Sequence, residues 1–276
     1  MMKNWLSRAV CLAAVLFCAA GCTHERIVIS EVPVSEGFVG NGVEWSAYPH
    51  ADSEEAEWGY LMTDEKLRRV FERLDYMKPR IVRIMDVAAW RYYKGVDAQG
   101  EPLLDFACDE VRMVCRLLEY CQSRGITVLI GDYGVPGFWG YAGGIDRVDD
   151  PRYIDMTTRY LTYLKRERGF DCIRYYIITN EPNGDWACTR GDWEQWKRGI
   201  ALMHASFERA GLDIGISAPD AVEMSENPAS QYPTGREWVE QTVAQMDSLV
   251  DQYNIHCYAD WAFILSLIHI SEPTRH

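Results

Sequence analysis

Short apolar segments alternate with longer amphipathic ones along most of the chain. The short segments have four to eight residues and are mostly continuous in apolar character, which is typical of strands buried on both faces of a parallel sheet. They cover residues 38–45, 81–85, 126–130, 173–179, 214–217 and 255–258. Their first residues are 41 to 47 positions apart, and this rhythm is typical of successive βα units with right-handed crossovers.

Apolar residues recur at helical spacing between the predicted strands. In the first such segment, Leu67, Val70 and Leu74 share one face, and Thr63 is suited to cap its start. The five predicted helices cover residues 64–77, 109–123, 152–168, 192–210 and 236–253. Glycines suited to end three of them follow the second, third and fourth helices, at Gly125, Gly169 and Gly211.

This alternation predicts an α/β fold with a parallel sheet. The chain has 276 residues, and a (β/α)8 barrel typically needs about 250. The alternative, a six-stranded doubly wound sheet, usually carries a GxGxxG motif after its first strand, whereas Gly40-Asn41-Gly42 is not followed by a third glycine. Since only six strands are predicted, we expect an incomplete (β/α)8 TIM barrel that contains about six of the eight βα units.

The N-terminus has the pattern of an export signal. Lys3 and Arg8 precede an apolar run at residues 9–20, which is shorter than the roughly 20 residues needed to cross a bilayer. The following Ala19-Ala20-Gly21-Cys22 resembles a bacterial lipobox. We expect a signal peptide at 1–21, an exported bacterial lipoprotein anchored by Cys22 at the periplasm or cell surface, and a tether at 22–37. An ordinary signal peptide cut near Gly21 is the alternative.

The C-terminus differs in character from the rest of the chain. Residues 265–275 read LSLIHISEPTR, and all eleven positions match the translation of a common transposase-type sequencing adaptor. We therefore expect residues 265–276 to be a non-native tail and the partial barrel to cover residues 38–264. A genuine strand followed by a polar tail is the alternative.

Composition excludes some partners and narrows the chemistry. The net charge of −13 opposes contact with nucleic-acid phosphates, so we expect no nucleic-acid partner. Six of the nine cysteines follow the lipobox and allow fifteen pairings, but their positions in helical and strand patterns favour buried free thiols. No Cys/His spacing typical of a metal site occurs, and we expect neither a metal nor a cofactor.

Aromatic and acidic residues follow the predicted strands, at the end of a parallel barrel where active sites form. The chain has 10 Trp and 16 Tyr, whose rings stack on sugars while their polar atoms bind hydroxyl groups. We therefore predict a cleft for an oligosaccharide or polysaccharide. The predicted substrate contacts are Trp45, Trp90, Asp132, Tyr133, Trp139, Trp186 and Trp261.

The most specific motif is Asn180-Glu181-Pro182, at the end of the fourth apolar segment. It resembles the fourth strand of clan A glycoside hydrolases, where Asn-Glu carries the general acid/base. Val82-Arg83-Ile84 resembles the second-strand arginine of that clan, and His256-Cys257-Tyr258 resembles its sixth-strand His-x-Tyr. Residues 128–137 resemble the third strand of family 5 cellulase-like enzymes, many of which carry His where this chain has Tyr133. The resemblance covers roughly residues 38–261.

The resemblance implies a retaining glycosidase for β-linked glycosides, with Glu181 as acid/base, and His256 is carried over as a further catalytic residue. Packing among rings is expected to raise the pKa of Glu181. Asn180 is expected to hold a sugar hydroxyl, and Arg83 and Tyr258 to contact a second carboxylate.

In that clan the second carboxylate ends the seventh strand, which the six predicted strands do not include. Glu44 and Asp132 follow the first and third strands, and we assign neither as nucleophile. We therefore expect this chain to have little or no activity. The alternatives are a non-catalytic surface glycan-binding lipoprotein and a structural or interaction lipoprotein.

Overall fold

The computed structural model describes residues 37–46 and 62–258. The elements below belong to the compact unit that begins at Gly40. The predicted signal peptide with Cys22, most of the predicted tether, and the adaptor-like tail lie outside the described residues. Within the described part of the chain, no helix is long and apolar enough to cross a membrane.

Strands and helices alternate through the described residues. In chain order they are β1 (Gly42–Ser46), α1 (Asp64–Met77), β2 (Ile81–Asp86), β3 (Tyr93–Val96), β4 (Pro102–Leu104), α2 (Asp109–Ser123), β5 (Thr127–Asp132), α3 (Pro151–Thr162), β6 (Ile173–Ile177), α4 (Trp193–Ala210), β7 (Gly215–Val222), α5 (Gly235–Met246) and β8 (Gln252–His256). A π-helical turn at Tyr163–Glu167 continues α3.

Six of these strands form one parallel sheet in the order β1-β2-β5-β6-β7-β8. The order never reverses along the chain, whereas a doubly wound sheet reverses its strand order at a switch point. The sheet curls into a half-barrel with helices on its outer side, which confirms the predicted incomplete (β/α)8 barrel. The antiparallel pair β3–β4 is a separate two-stranded sheet in the loop after β2.

Apolar side chains fill both sides of the curled sheet. A small cluster of Met85, Leu129 and Ile177 lies on its inner side, and the main core lies between the sheet and the helices. Gly131 belongs to the inner side, where a Cβ atom would approach Ile177 Cβ to 2.7 Å and Met85 Sδ to 2.8 Å. Glycine is therefore required there by the close approach of neighbouring strands.

Several helix ends use the predicted residues. The Thr63 side chain accepts a hydrogen bond from the Lys66 N–H at the start of α1, and Gly211 ends α4 with φ of 61°. The structure adds a cap that was not predicted, a reciprocal capping box of Thr234 and Glu237 at the start of α5. These caps satisfy backbone groups that a helix end leaves without partners.

The predicted boundary between the fifth helix and the last strand is wrong. The fifth helix was expected to reach residue 253, but α5 ends at Met246 and β8 already begins at Gln252. Contacts with β7 end the helix early, because the Asp251 N–H donates to Ile216 O and Tyr253 pairs with Ala218 of β7. The hairpin β3–β4 was also not predicted.

The six cysteines of the described residues are free thiols, as predicted. Their predicted burial is only partly correct. Cys115 and Cys121 are buried, and Cys257 is exposed. The remaining three are half-buried, namely Cys108, Cys172 and Cys188.

Candidate active site

Polar side chains from five strands meet at the carboxyl ends of the parallel sheet. Glu44 of β1 is the register partner of Arg83 of β2, and both lie on the inner side. Asn180 and Glu181 follow β6, Asp220 belongs to β7, and His256 ends β8. These residues are adjacent because the strands run parallel and side by side, although up to 212 positions separate them in the sequence.

Arg83 connects three of these groups. Its Nη1 lies 2.8 Å from Glu44 Oε1, and its Nη2 lies 2.7 Å from Asp220 Oδ2 and 2.9 Å from Asn180 Oδ1. Burial alone would lower the pKa of Arg83, but the charges of Asp220 and Glu44 raise it. The guanidinium is therefore a fixed positive charge that orients Asn180 and Glu44.

Asp220 is the most enclosed carboxylate of the site, with a side chain only 1% exposed. Besides Arg83 it bonds His256 Nε2 at 3.1 Å and accepts from Asn254 Nδ2 at 2.9 Å. Asn254 Oδ1 in turn accepts from the Asp220 N–H at 2.6 Å. Its backbone has φ of 60°, which non-glycine residues rarely adopt. These contacts make Asp220 a positioning group that has no open face for substrate.

Glu181 lies at the mouth and accepts three side-chain hydrogen bonds. Its Oε1 lies 2.9 Å from His256 Nδ1 and 3.1 Å from the Tyr258 hydroxyl, and its Oε2 accepts from Trp186 Nε1 at 2.8 Å. Glu181 also has a left-handed backbone, with φ of 50°, held by its N–H donating to Asp220 O. Strain of this kind costs of order 1–3 kcal/mol and concentrates at functional sites.

His256 bridges the two carboxylates. Both ring nitrogens face carboxylate oxygens, so the doubly protonated imidazolium satisfies both contacts by donating. Burial alone would lower the pKa of His256, but the hydrogen bonds to Asp220 and Glu181 raise it to about 9, despite the repulsion of Arg83. His256 is therefore positively charged at neutral pH.

The pKa predicted for Glu181 is wrong in direction. Burial alone would raise it, as expected, but the hydrogen bonds from His256 and Trp186, the charge of His256 and the bond from Tyr258 lower it below its usual value. The sequence prediction considered only the aromatic surroundings and not the cationic histidine. In this arrangement the Glu181 carboxylate is ionised at neutral pH.

Two predicted aromatic contacts, Trp186 and Tyr133, touch this centre. Trp186 is 49% exposed beside Glu181, and the Tyr133 hydroxyl donates to Glu44 Oε1 at 3.2 Å. Trp139 packs against Trp90, with ring centroids 4.7 Å apart. Trp90 and Trp139 are half-buried against the main core. The rings with the most surface at the mouth are therefore those of Trp186 and Tyr258.

Two predicted substrate contacts conflict with the structure. Trp45 is only 8% exposed and packs edge-on against Phe71 and Tyr120, because side chains alternate along a strand and its neighbour Glu44 faces inward. Asp132 is 4% exposed and accepts from the N–H groups of Gly134 and Ala88. It therefore supports the loops that follow β2 and β5, and neither residue lines the cleft.

The structure adds Asp220 and Glu44 to the predicted site residues, and it does not describe Trp261, which was a predicted substrate contact. Both added residues stood at strand ends in the sequence, but no role followed from that position alone. Among the residues that the structure describes, no group of three or more His, Cys, Asp or Glu side chains could hold a metal ion.

No family model and no curated protein matches this chain, whereas solved structures share its fold. A β-1,4-D-mannanase from Cryptopygus antarcticus is similar with a TM-score of 0.54 and 13% identity, over 81% of this chain and 68% of its own. A monomeric β-xylosidase from Caulobacter crescentus CB15 has a TM-score of 0.50 and 13% identity, over 80% and 42%. The catalytic domain of GH30 xylanase C from Talaromyces cellulolyticus has a TM-score of 0.50 and 14% identity, over 80% of this chain and 53% of its own.

These similarities establish the fold. This chain has a partial parallel-strand barrel like that of these enzymes, and it spans about half the length of the xylosidase and xylanase chains. At identities of 13% to 14%, activity and substrate do not follow from the fold.

Proposed function

We propose that this chain carries the acid/base part of a retaining glycoside hydrolase that acts on β-linked glycosides or polysaccharide. The observation that carries the proposal is the position of Glu181 at a strand's carboxyl end, held by His256, Tyr258 and Trp186. A carboxyl group fixed at the mouth of a cleft is suited to protonate the leaving oxygen of a glycosidic bond.

Asn180 supports the same assignment. Its Oδ1 accepts from Arg83, which fixes the orientation of the amide. Among the described residues, no group accepts a hydrogen bond from its Nδ2, and this donor is available for a sugar hydroxyl. A hydrogen bond of this kind strengthens in the oxocarbenium-like transition state.

The ionised state of Glu181 bears on the mechanism. Retaining glycosidases place a second carboxylate about 5–5.5 Å from the first, and a negative charge at that distance raises the pKa of its neighbour. We propose that the intact enzyme uses such a carboxylate as its nucleophile and that its charge keeps Glu181 protonated. Glu44 is bound by Arg83 and Tyr133, so this chain alone is proposed to hydrolyse glycosides poorly or not at all.

The test is hydrolysis of aryl β-glycosides by this chain and by a protein from the same locus that includes a seventh strand. The longer protein is expected to be active and to lose activity in Glu181→Gln, while the surface variant Glu208→Gln keeps it. Turnover by the 276-residue chain that Glu181→Gln abolishes would overturn the proposed inactivity. An inactive longer protein would overturn the glycosidase proposal.

The second candidate is a non-catalytic surface glycan-binding protein. The ionised Glu181 beside the exposed ring of Trp186 favours it, because an ionised carboxylate accepts hydroxyl hydrogen bonds but cannot act as an acid. Under this candidate, neutral oligosaccharides raise the melting temperature and Trp186→Ala removes the shift. The glycosidase is preferred if the longer protein also cleaves the bound sugar.

We also propose the export route that the N-terminus suggests, with a lipid anchor on Cys22 and a glycan partner outside the cytoplasm. Labelled fatty acid is expected to be incorporated into the wild-type chain in a bacterial host and not into the Cys22→Ser variant.

For the tail at residues 265–276, intact genomic DNA is expected not to encode the sequence LSLIHISEPTR. Its presence there would show that the tail is native.

A further inference from the structure

The end of the barrel opposite the candidate active site carries basic side chains. Helix α1 ends at Met77 and residues 78–80 lead directly into β2, so this segment lies at the amino ends of the strands. Arg73, Lys78 and Arg80 occur here within eight positions. This concentration is unusual in a chain of net charge −13.

Carboxylates near these three cations pair with other cations, as exposed Glu72 does with Arg68. Arg124, at the end of α2, is neutralised by Asp75, with Nε 3.0 Å from Oδ1. Among the residues that the structure describes, Arg73, Lys78 and Arg80 form no ion pair or side-chain hydrogen bond with a carboxylate. The segment therefore presents three free positive charges to solvent.

Apolar side chains project beside these charges. Tyr76 is 87% exposed and Met77 is 57% exposed, although the rest of α1 packs its apolar face inward through Leu67 and Leu74. A cleft of about 400 Å³ lies beside Lys78 and Arg80, and Asp75, Tyr120 and Arg124 also line it. Tyrosine combined with Lys and Arg is typical of surfaces that sit in a phospholipid headgroup layer.

We propose that this basal patch, defined as Arg73, Tyr76, Met77, Lys78 and Arg80, docks the barrel on an anionic phospholipid surface. The cations contact headgroup phosphates, and Tyr76 and Met77 enter the headgroup layer. The proposal does not depend on the glycosidase assignment, because the patch lies at the other end of the strands.

The overall negative charge does not prevent this contact. The Debye length is about 8 Å at physiological salt, and a strand of five to six residues separates the two barrel ends by about 17–20 Å. The carboxylates at the mouth are therefore largely screened from a membrane at the base. Each Lys or Arg near an anionic surface contributes about 1 kcal/mol, or about fivefold in affinity.

Acidic residues restrict the patch to one half of the base. Asp213 and Asp251 precede β7 and β8, on the far side of the sheet from β1 and β2. The barrel is therefore expected to dock on its β1-β2 side.

The point where the chain enters the barrel agrees with this orientation. β1 begins at Gly42, and the Arg80 N–H donates to Asn41 O at 2.9 Å. Asn41, immediately before β1, therefore lies beside a residue of the patch. With the base on a membrane, the mouth that holds Glu181 faces away from the lipid.

The test is co-sedimentation of the full chain with vesicles of pure phosphatidylcholine, or of phosphatidylcholine and phosphatidylglycerol in equal parts. The wild-type chain is expected to bind the anionic vesicles more tightly. Arg73→Gln/Lys78→Gln is expected to lower that affinity about 25-fold, from about fivefold per cation. The matched control Arg209→Gln/Arg236→Gln removes two exposed cations elsewhere and is expected to change affinity less than about twofold.

Salt and free phosphate distinguish the source of the interaction. About 1 M NaCl, where the Debye length is ~3 Å, is expected to abolish the preference for anionic vesicles, and inorganic phosphate is not expected to compete. Equal binding to both vesicle types, or equal losses in the two double variants, would overturn the proposal. Competition by millimolar phosphate would show an ion site and not a membrane surface, and would also overturn it.

Discussion

The charge of His256 depends on Asp220, and replacing this carboxylate tests the electrostatic account of the site. Asp220→Asn keeps the size of the side chain and removes its charge. The variant leaves His256 with Glu181 as its anionic partner and leaves Arg83 with Glu44. We expect the pKa of His256 to fall from about 9 toward its ordinary value, because both the hydrogen bond and the charge of Asp220 raise it.

The stabilisation that the charged His256 gains in the folded protein follows from that pKa. A rise from 6.5 to about 9 corresponds to about 3 kcal/mol, and His256 and Asp220 are 16% and 1% exposed, so solvent screens the pair little. Breaking a buried ion pair by removing one partner costs 3–5 kcal/mol, which agrees. Because the folded pKa is raised, this stabilisation is fully present below about pH 6.5 and is lost as the pH rises through about 9.

The assay is urea unfolding of the wild type and Asp220→Asn between pH 6 and pH 10, with His256 titrated by NMR. At pH 7 the variant is expected to lose up to about 3 kcal/mol of unfolding free energy and part of its slope above pH 6.5, because Glu181 remains a partner of His256. Asp75→Asn is the control, because Asp75 pairs with Arg124 at the surface, where water screens the charges. An unchanged slope in Asp220→Asn, or an unchanged His256 titration, would refute the reasoning.

Four further substitutions test the packing, a helix cap and the sugar contact. Gly131→Ala is expected to lower the free energy of unfolding by about 1–3 kcal/mol, because its Cβ would overlap Ile177 and Met85. Trp45→Ala is expected to cost about 3–5 kcal/mol without weakening sugar binding, whereas the exposed Trp186→Ala should cost below about 1 kcal/mol and weaken it. Thr234→Ala removes the α5 capping box and is expected to cost about 1 kcal/mol. Urea unfolding and oligosaccharide titration measure these effects.

Much of the fold was predictable because its signals are local. Continuous apolar segments identified all six parallel strands, and the helical spacing of α1 and α2 gave their bounds correctly. The end of α5 was not predictable in this way. Residues 247–253 continue a helical pattern, and the pairing of Tyr253 with Ala218 decides their structure.

The sequence predicted which residues form the candidate site better than it predicted their charges and pKa shifts. Strand-end positions and the clan A resemblance pointed to Arg83 and Glu181. Side-chain alternation could also have excluded Trp45, since Glu44 on the same strand faces Arg83. The contacts of Asp220 depend on β7 and β8 lying side by side, and spacing along the chain does not encode them.

The protonation of Glu181 is controlled by a residue that forms no side-chain bond with it. Asp220 and Glu181 both bind His256, and the resulting imidazolium lowers the pKa of Glu181. Removing Asp220 lowers the pKa of His256, so that less positive charge faces Glu181 at neutral pH and the pKa of Glu181 rises. A second carboxylate at the mouth would act in the same direction by direct repulsion. Under the proposed function, Glu181 accepts sugar hydroxyls when it is ionised and acts as a general acid when a second negative charge is present.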